Sequence, residues 1–293
     1  MASGAANAEQ PEQKEDRAMN RMNLAELKLL ANRIRVHCVR MTGKANASHI
    51  GSALSCADIM AALYGSALRY DPKRPDWPER DRFIMSKGHA CTALYATLAE
   101  SGFFPLAALD TFYQDGSPLA GHVMHKHNPG VELSTGSLGH GLPVAVGMAI
   151  AAKRDRRPSR VFCLVSDGEC DEGSVWESAL FAPQHQLDNL IVIIDYNGIQ
   201  SLGTVKDVID LHPLAEKWRA FRWAVREVDG HDMRAVEEAL TQAPFETGRP
   251  TCIVARTVKG KGVSYMENKL LWHYRAPMGE DMTKALAELE QNK

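Results

Sequence analysis

Two dipeptides stand at points where oxygen-ligand chemistry is readily built. Asp167-Gly168 follows the apolar run VFCLVS (161–166), and Asn197-Gly198 follows LIVIID (190–195). Asp167 and Asn197 are 30 residues apart, the length of one strand-helix-strand crossover, so a carboxylate and a carboxamide are expected side by side. With a main-chain carbonyl from the next turn they form a hard oxygen set suited to Mg²⁺ or Ca²⁺, ions that complete their shells with phosphate. Gly168 lets a phosphate approach the backbone, and a helix starting near Gly173 aims its amides at the same place. Either dipeptide alone is an ordinary turn signal; the pairing gives it weight.

Several of the 11 histidines add a second chemistry. His49, His89 and His122 each follow Ser or Gly in a predicted loop, and His273 lies in another; imidazoles there can move protons and donate to a carbonyl or developing alkoxide. His122, His125 and His127 are close in sequence but lack metal-ligand spacing, so the last two are expected at solvent or at a substrate edge. His140, His185 and His212 read as structural or exposed. Lys259 and Lys261 face either a phosphate or the solvent.

These residues are carried by a patterned chain. Asn23 is positioned to cap a helix running to Ala45, and SHIGSALSCADIMAALYG predicts a second apolar helix after a Gly/Ser turn. DPKRPDWP (71–78) is a loop, DRFIMSKGHA a short strand entering a Gly-His turn, and CTALYATLAES a helix. The Gly- and His-rich stretch 116–136 is a long loop leading to the helix GSLGHGLPVAVGMAIAAKRD. From Arg160 onward, VFCLVS, LIVIID, WAVREV (223–228) and TCIVART (251–257) read as strands buried on both faces, alternating with helices that begin near Gly173, Pro213 and Asp232. The fold class is α/β: a doubly wound, mainly parallel sheet with helices on both faces, in one domain over residues 21–293 after a loose tail at 1–20.

Composition sets the outer limits. The 293 residues carry 34 Lys+Arg and 36 Asp+Glu, a net charge of −2 that predicts neither a nucleic-acid footprint nor a basic membrane surface. A mean hydropathy of −0.27 and the lack of a long apolar run argue against membrane spanning. Six cysteines form no CxxC pair, four of them among apolar neighbours, which suits reduced thiols in the cytoplasm; the first 20 residues lack a signal-peptide core.

The motif DG(x)28N, with its acid and amide at the ends of consecutive apolar strands, resembles the thiamine diphosphate motif, and the surrounding segments resemble the transketolase family. They include ASHIGSALS (47–55), RDRFIMSKGHACTALY (80–95), GHVMHKHNPGVELSTGSLGHGLPVAVGMA (121–149), SDGECDEGSVWESALFA (166–182), DYNGIQSLG (195–203) and KGKGVSYMEN…WHYRAP (259–277). The resemblance covers nearly everything after the tail and corresponds to the family's diphosphate-binding domain. It implies Asp167, Asn197 and the Ile199 carbonyl as Mg²⁺ ligands. His89, Gly136, Ser137, Leu138, Gly168, Asn197 and His273 are implied around thiamine diphosphate, with His49, His122 and His273 facing the sugar. Glu172 is implied as an interface glutamate linking two active sites, although an acid there also suits a first helical turn. Ser166, where glycine is usual, and Tyr196 depart from the family pattern without removing a ligand.

In this family a glutamate from a second, pyrimidine-binding domain activates the cofactor, and that domain also supplies an aromatic residue against the pyrimidine and arginines for the sugar phosphate. No such domain is legible in this sequence. The resemblance therefore implies the N-terminal subunit of a split transketolase, paired with a separate C-terminal subunit in a heterotetramer that moves a two-carbon ketol unit between sugar phosphates in the pentose phosphate pathway. The alternatives are a subunit of another thiamine diphosphate enzyme, resembling deoxyxylulose phosphate synthase or 2-oxo acid dehydrogenase, and a silent cofactor-binding module.

Overall fold

The computed structural model describes residues 21–291, so the predicted tail at 1–20 lies outside the described residues. Helix α1 (Leu24–Ala45) opens on Asn23, which accepts from the Ala25 and Glu26 amides while Glu26 accepts from the Asn23 amide. This reciprocal cap satisfies donors that the first turn leaves free. The expected second apolar helix is split into α2 (Ile50–Ser55) and α3 (Ala57–Ala62), followed by a π-type turn over Leu63–Ala67. At the break the Ser55 and Cys56 side chains both turn onto the Ser52 carbonyl, competing with the helical ladder.

Five strands among the described residues form one parallel sheet: β1 (Arg82–Met85), β2 (Val161–Ser166), β3 (Leu190–Tyr196), β4 (Ala224–Asp229) and β5 (Thr251–Arg256). Their order is β1-β2-β3-β5-β4. Helices α4 (Cys91–Glu100), α5 (Gly141–Arg154), α6 (Gly173–Gln184), α7 (Leu214–Ala220) and α8 (Met233–Thr241) connect them, and α9 (Glu280–Gln291) follows β5.

Alternate strand residues feed two cores. Phe162, Leu164, Ile191, Ile193 and Ile253 belong to the layer of α1, α3, α4 and α8. Cys163, Val165, Val192, Ile194 and Val254 belong to that of α5, α6 and α7. Burial on both faces explains why these strands read as continuous apolar runs. β4 corrects the expectation: it is the sheet's edge, with Arg226, Glu227 and Asp229 exposed. Charges cost little on a strand that meets water, and they discourage further pairing.

All six cysteines are free and buried, Cys38, Cys56 and Cys91 in the first layer and Cys163, Cys170 and Cys252 in the second. No described helix is long and apolar enough to cross a membrane. Because all strands run the same way, the ends of β1, β2, β3 and β5 meet at one edge, where ligands bind in open α/β sheets.

Candidate active site

Asp167 stands one residue past β2 and is 1% exposed. Its Oδ1 accepts from the Gly168 amide at 2.8 Å and its Oδ2 from the Gly198 amide at 2.6 Å, so the two strand ends are directly joined. Burial, reinforced by Asp195, pushes its carboxyl up to about 7, a shift that a bound cation opposes. Asn197, also buried, accepts the Ile199 amide at 3.2 Å through Oδ1. The Ile199 carbonyl accepts Lys259 Nζ at 2.7 Å.

Lys259 corrects the solvent option left open by the sequence. It is 2% exposed, and its Nζ also meets His273 Nδ1 at 2.8 Å. Burial brings its ammonium down to about 8. The signal was available: Lys259 lies three residues beyond β5, at the same edge as Asp167 and Asn197. Lys261 is not among the cavity's lining residues and lies 3.5 Å from Glu267.

The histidines implied near cofactor and sugar converge. The His49 ring lies 5.3 Å from His89, 5.8 Å from His122 and 5.1 Å from His273, centroid to centroid. His49 sits in left-handed backbone at the start of α2, where its amide donates to the His273 carbonyl at 2.7 Å. Burial first, then His122 and Lys259, lowers its imidazole to about 4; burial, Lys259 and His49 lower His273 to about 3. His89, paired through Nε2 with the Ser52 hydroxyl at 2.8 Å, is also held well below its usual value, chiefly by burial. Three neutral imidazoles therefore face one cavity, with His122 exposed at its lip.

That cavity measures about 240 Å³ and is bounded by the histidines, Asp167, Asn197 and Lys259. Gly136 and Leu138 line it, and Ser137 between them is exposed. Gly136 and Gly168 line it at crowded points: a Cβ would come within 3.1 Å of His122 at the first and 3.0 Å of Gln200 at the second. Sequence reasoning passed over Ser52, Gln200 and Tyr274, which also line it.

Other histidines stay apart. His125 bonds Ser134, His140 the Leu138 carbonyl and His212 the Tyr196 hydroxyl, all exposed, and His185 packs on Phe181. Among the described residues no three His, Cys, Asp or Glu side chains converge on a metal position. Glu172 is exposed at the start of α6 and makes no capping hydrogen bond.

A sequence profile described as "Transketolase, thiamine diphosphate binding domain" matches residues 27–290. With the sheet-edge cavity, it defines the chain as a thiamine diphosphate-binding α/β enzyme domain. The 6-deoxy-6-sulfo-D-fructose transketolase subunit SqwG of Clostridium sp. (strain MSTE9) is 43% identical over 91% of this chain and 97% of its own length. An apulose-4-phosphate transketolase subunit of Actinobacillus succinogenes is 44% identical over 93% and 99%. The transketolase structure from Campylobacter jejuni superimposes with a TM-score of 0.85 at 34% identity, covering 92% of this chain and 43% of that one. The chain belongs to the transketolase family of enzymes, and it matches over nearly their whole length relatives that are single subunits.

Proposed function

We propose that this chain is the diphosphate-binding subunit of a two-chain transketolase, transferring a two-carbon ketol unit from a ketose phosphate to an aldose phosphate with thiamine diphosphate and Mg²⁺. The observation that carries this reading is the meeting of Asp167, Asn197 and Lys259 with His49, His89 and His273 in one cavity at the carboxyl edge of the sheet.

The donor set fits the group. A buried carboxylate pushed up by its surroundings, a carboxamide and a main-chain carbonyl suit Mg²⁺ or Ca²⁺, and Gly136 and Gly168, which line the cavity without side chains, leave their backbone open to a diphosphate. Asp167, Asn197 and Ile199 hold the metal in this reading, and Lys259 gives a positive charge to the phosphates. When bound, the cofactor would supply the nucleophilic carbon that adds to the ketose carbonyl and carries the two-carbon unit between sugars.

His89, Gly136, Ser137, Leu138 and Gly168 bound the cofactor. His49, His122 and His273 face the sugar, where neutral imidazoles donate to its oxygens or take its protons. Lys259 beside His273 Nδ1 fixes that ring's orientation and leaves Nε2 for the sugar. Glu172 lies at a subunit interface.

Two features support a partner chain carrying the pyrimidine-binding domain. The relatives of matching length are named as subunits. Tyr274, which lines the cavity and is 61% exposed, and Leu202, 80% exposed and next in sequence to the lining Ser201, present apolar surface of the kind that another chain covers. In this reading the assembly is a heterotetramer of the pentose phosphate pathway in the cytoplasm, a compartment that suits six free thiols.

The test mixes this chain with its C-terminal partner, Mg²⁺ and thiamine diphosphate and measures ketol transfer from xylulose 5-phosphate. Activity is expected only from the mixture. Turnover by this chain alone would overturn the two-chain reading, and a mixture inert toward all ketose phosphates would overturn ketol transfer.

A further inference from the structure

Behind the cavity lies a buried ion pair. Lys87, two residues past β1, and Asp195, one residue before the end of β3, are both 0% exposed, and their side chains bond directly. Asp195 also accepts the Ser55 hydroxyl at 2.6 Å, from the end of α2, and the Thr257 hydroxyl just past β5. Lys87 Nζ donates in addition to the Ser52 carbonyl at 2.9 Å.

Those contacts join four segments through one carboxylate and one ammonium. The same segments carry His89 after β1, His49 and Ser52 around α2, Asn197 after β3 and Lys259 after β5. The Asp195 carbonyl further accepts the Asp167 amide at 3.3 Å. Stability alone does not account for such a pair, because apolar residues of similar volume often replace buried ion pairs without loss. Directional bonds fix relative position in a way that apolar packing does not.

We propose that Lys87 and Asp195 are a positioning pair, keeping the imidazole side of the site (His49, His89) in register with the oxygen side (Asp167, Asn197). The proposal rests on the cofactor reading above for its functional consequence, while the geometry it claims belongs to this chain alone. Neither residue touches the cofactor or sugar.

The experiment compares wild type with the charge-free double variant Lys87→Met/Asp195→Asn and with Thr257→Val, which removes one donor to Asp195. The double variant is expected to melt within a few degrees of wild type, yet to bind thiamine diphosphate with saturating Mg²⁺ about 100-fold more weakly, as tryptophan fluorescence reads it. Its ligand-free crystal structure is expected to show the Ser52–His89 contact opened and His89 displaced by about 1 Å relative to Asn197, a shift large enough to matter. Thr257→Val is expected to weaken binding about ten-fold, and it decides the matter if the double variant does not fold. Wild-type affinity in the folded variants, or a ligand-free structure that superimposes on wild type at His49, His89 and Asn197, would overturn the proposal. Failure of the wild-type chain to bind thiamine diphosphate would instead overturn the function above, and the ligand-free structures would still judge the pair.

Discussion

At the amino ends of the strands a cavity of about 560 Å³ is lined by Arg69, Asp81, Arg160 and Asp188, whereas the cavity at the carboxyl ends measures about 240 Å³. In the larger one both carboxylates are answered by cations. Asp81 accepts the Arg69 and Arg160 amides and two guanidinium donors of Arg160, which also lies over the Phe162 ring, and Asp188 pairs with Lys153. In the smaller one three imidazoles crowd around an ammonium and are all held neutral, while the Asp167 carboxyl is pushed up. Volume therefore does not locate the chemistry. Groups whose preferred charge state is displaced by their surroundings do.

This contrast is open to challenge from both edges. Asp81→Ala strips the amino edge of its shared acceptor and is expected to cost about 3–5 kcal/mol in urea unfolding while leaving cofactor affinity unchanged; a matching loss of affinity would erase the distinction. Asp167→Asn is expected to weaken Mg²⁺-dependent cofactor binding roughly 100-fold, read by titration, with little change in melting temperature. Wild-type affinity there would mean that the metal is held elsewhere.

Lys259→Met removes the buried ammonium, and isothermal titration should report binding about ten-fold weaker, against no change for Lys261→Ala, whose side chain pairs with Glu267. The smallest effect is on pH dependence. Between pH 6.5 and about 3 the unfolded chain binds a proton at position 273 that the folded chain refuses. That contribution to stability is full above pH 6.5 and is lost on acidification. His273→Gln should therefore lose less stability between pH 7 and pH 5 than wild type in paired urea titrations; an equal loss would mean that His273 is not held neutral.

Strands β2, β3 and β5 were legible because burial on both faces demands unbroken apolar residues, and Asp167 and Asn197 were legible because they end two of them. β4 misled because an apolar start, Trp223-Ala224-Val225, does not reveal that the following charges lie on an open edge. The insertion of β5 between β3 and β4 has no local signature. The position of Lys259 just past β5 hinted at the site, but its contact with the Ile199 carbonyl, 60 residues earlier in the chain, has no local signature either. Lys87 and Asp195 escaped for the same reason: their partners come together only once the sheet has formed.

The cysteines divide evenly between the two helical layers, three on each side of the sheet, and burial raises every thiol, Cys38 to about 12 and Cys56 to about 11. A closed thiol of this kind does not react, since the thiolate is the nucleophile. An alkylating reagent therefore records opening events, and peptide mapping of the label separates one side of the sheet from the other. The chain carries a built-in timer for which half of its core loosens first, and cofactor loading should slow it most on the side whose cysteines lie closest to the loaded site.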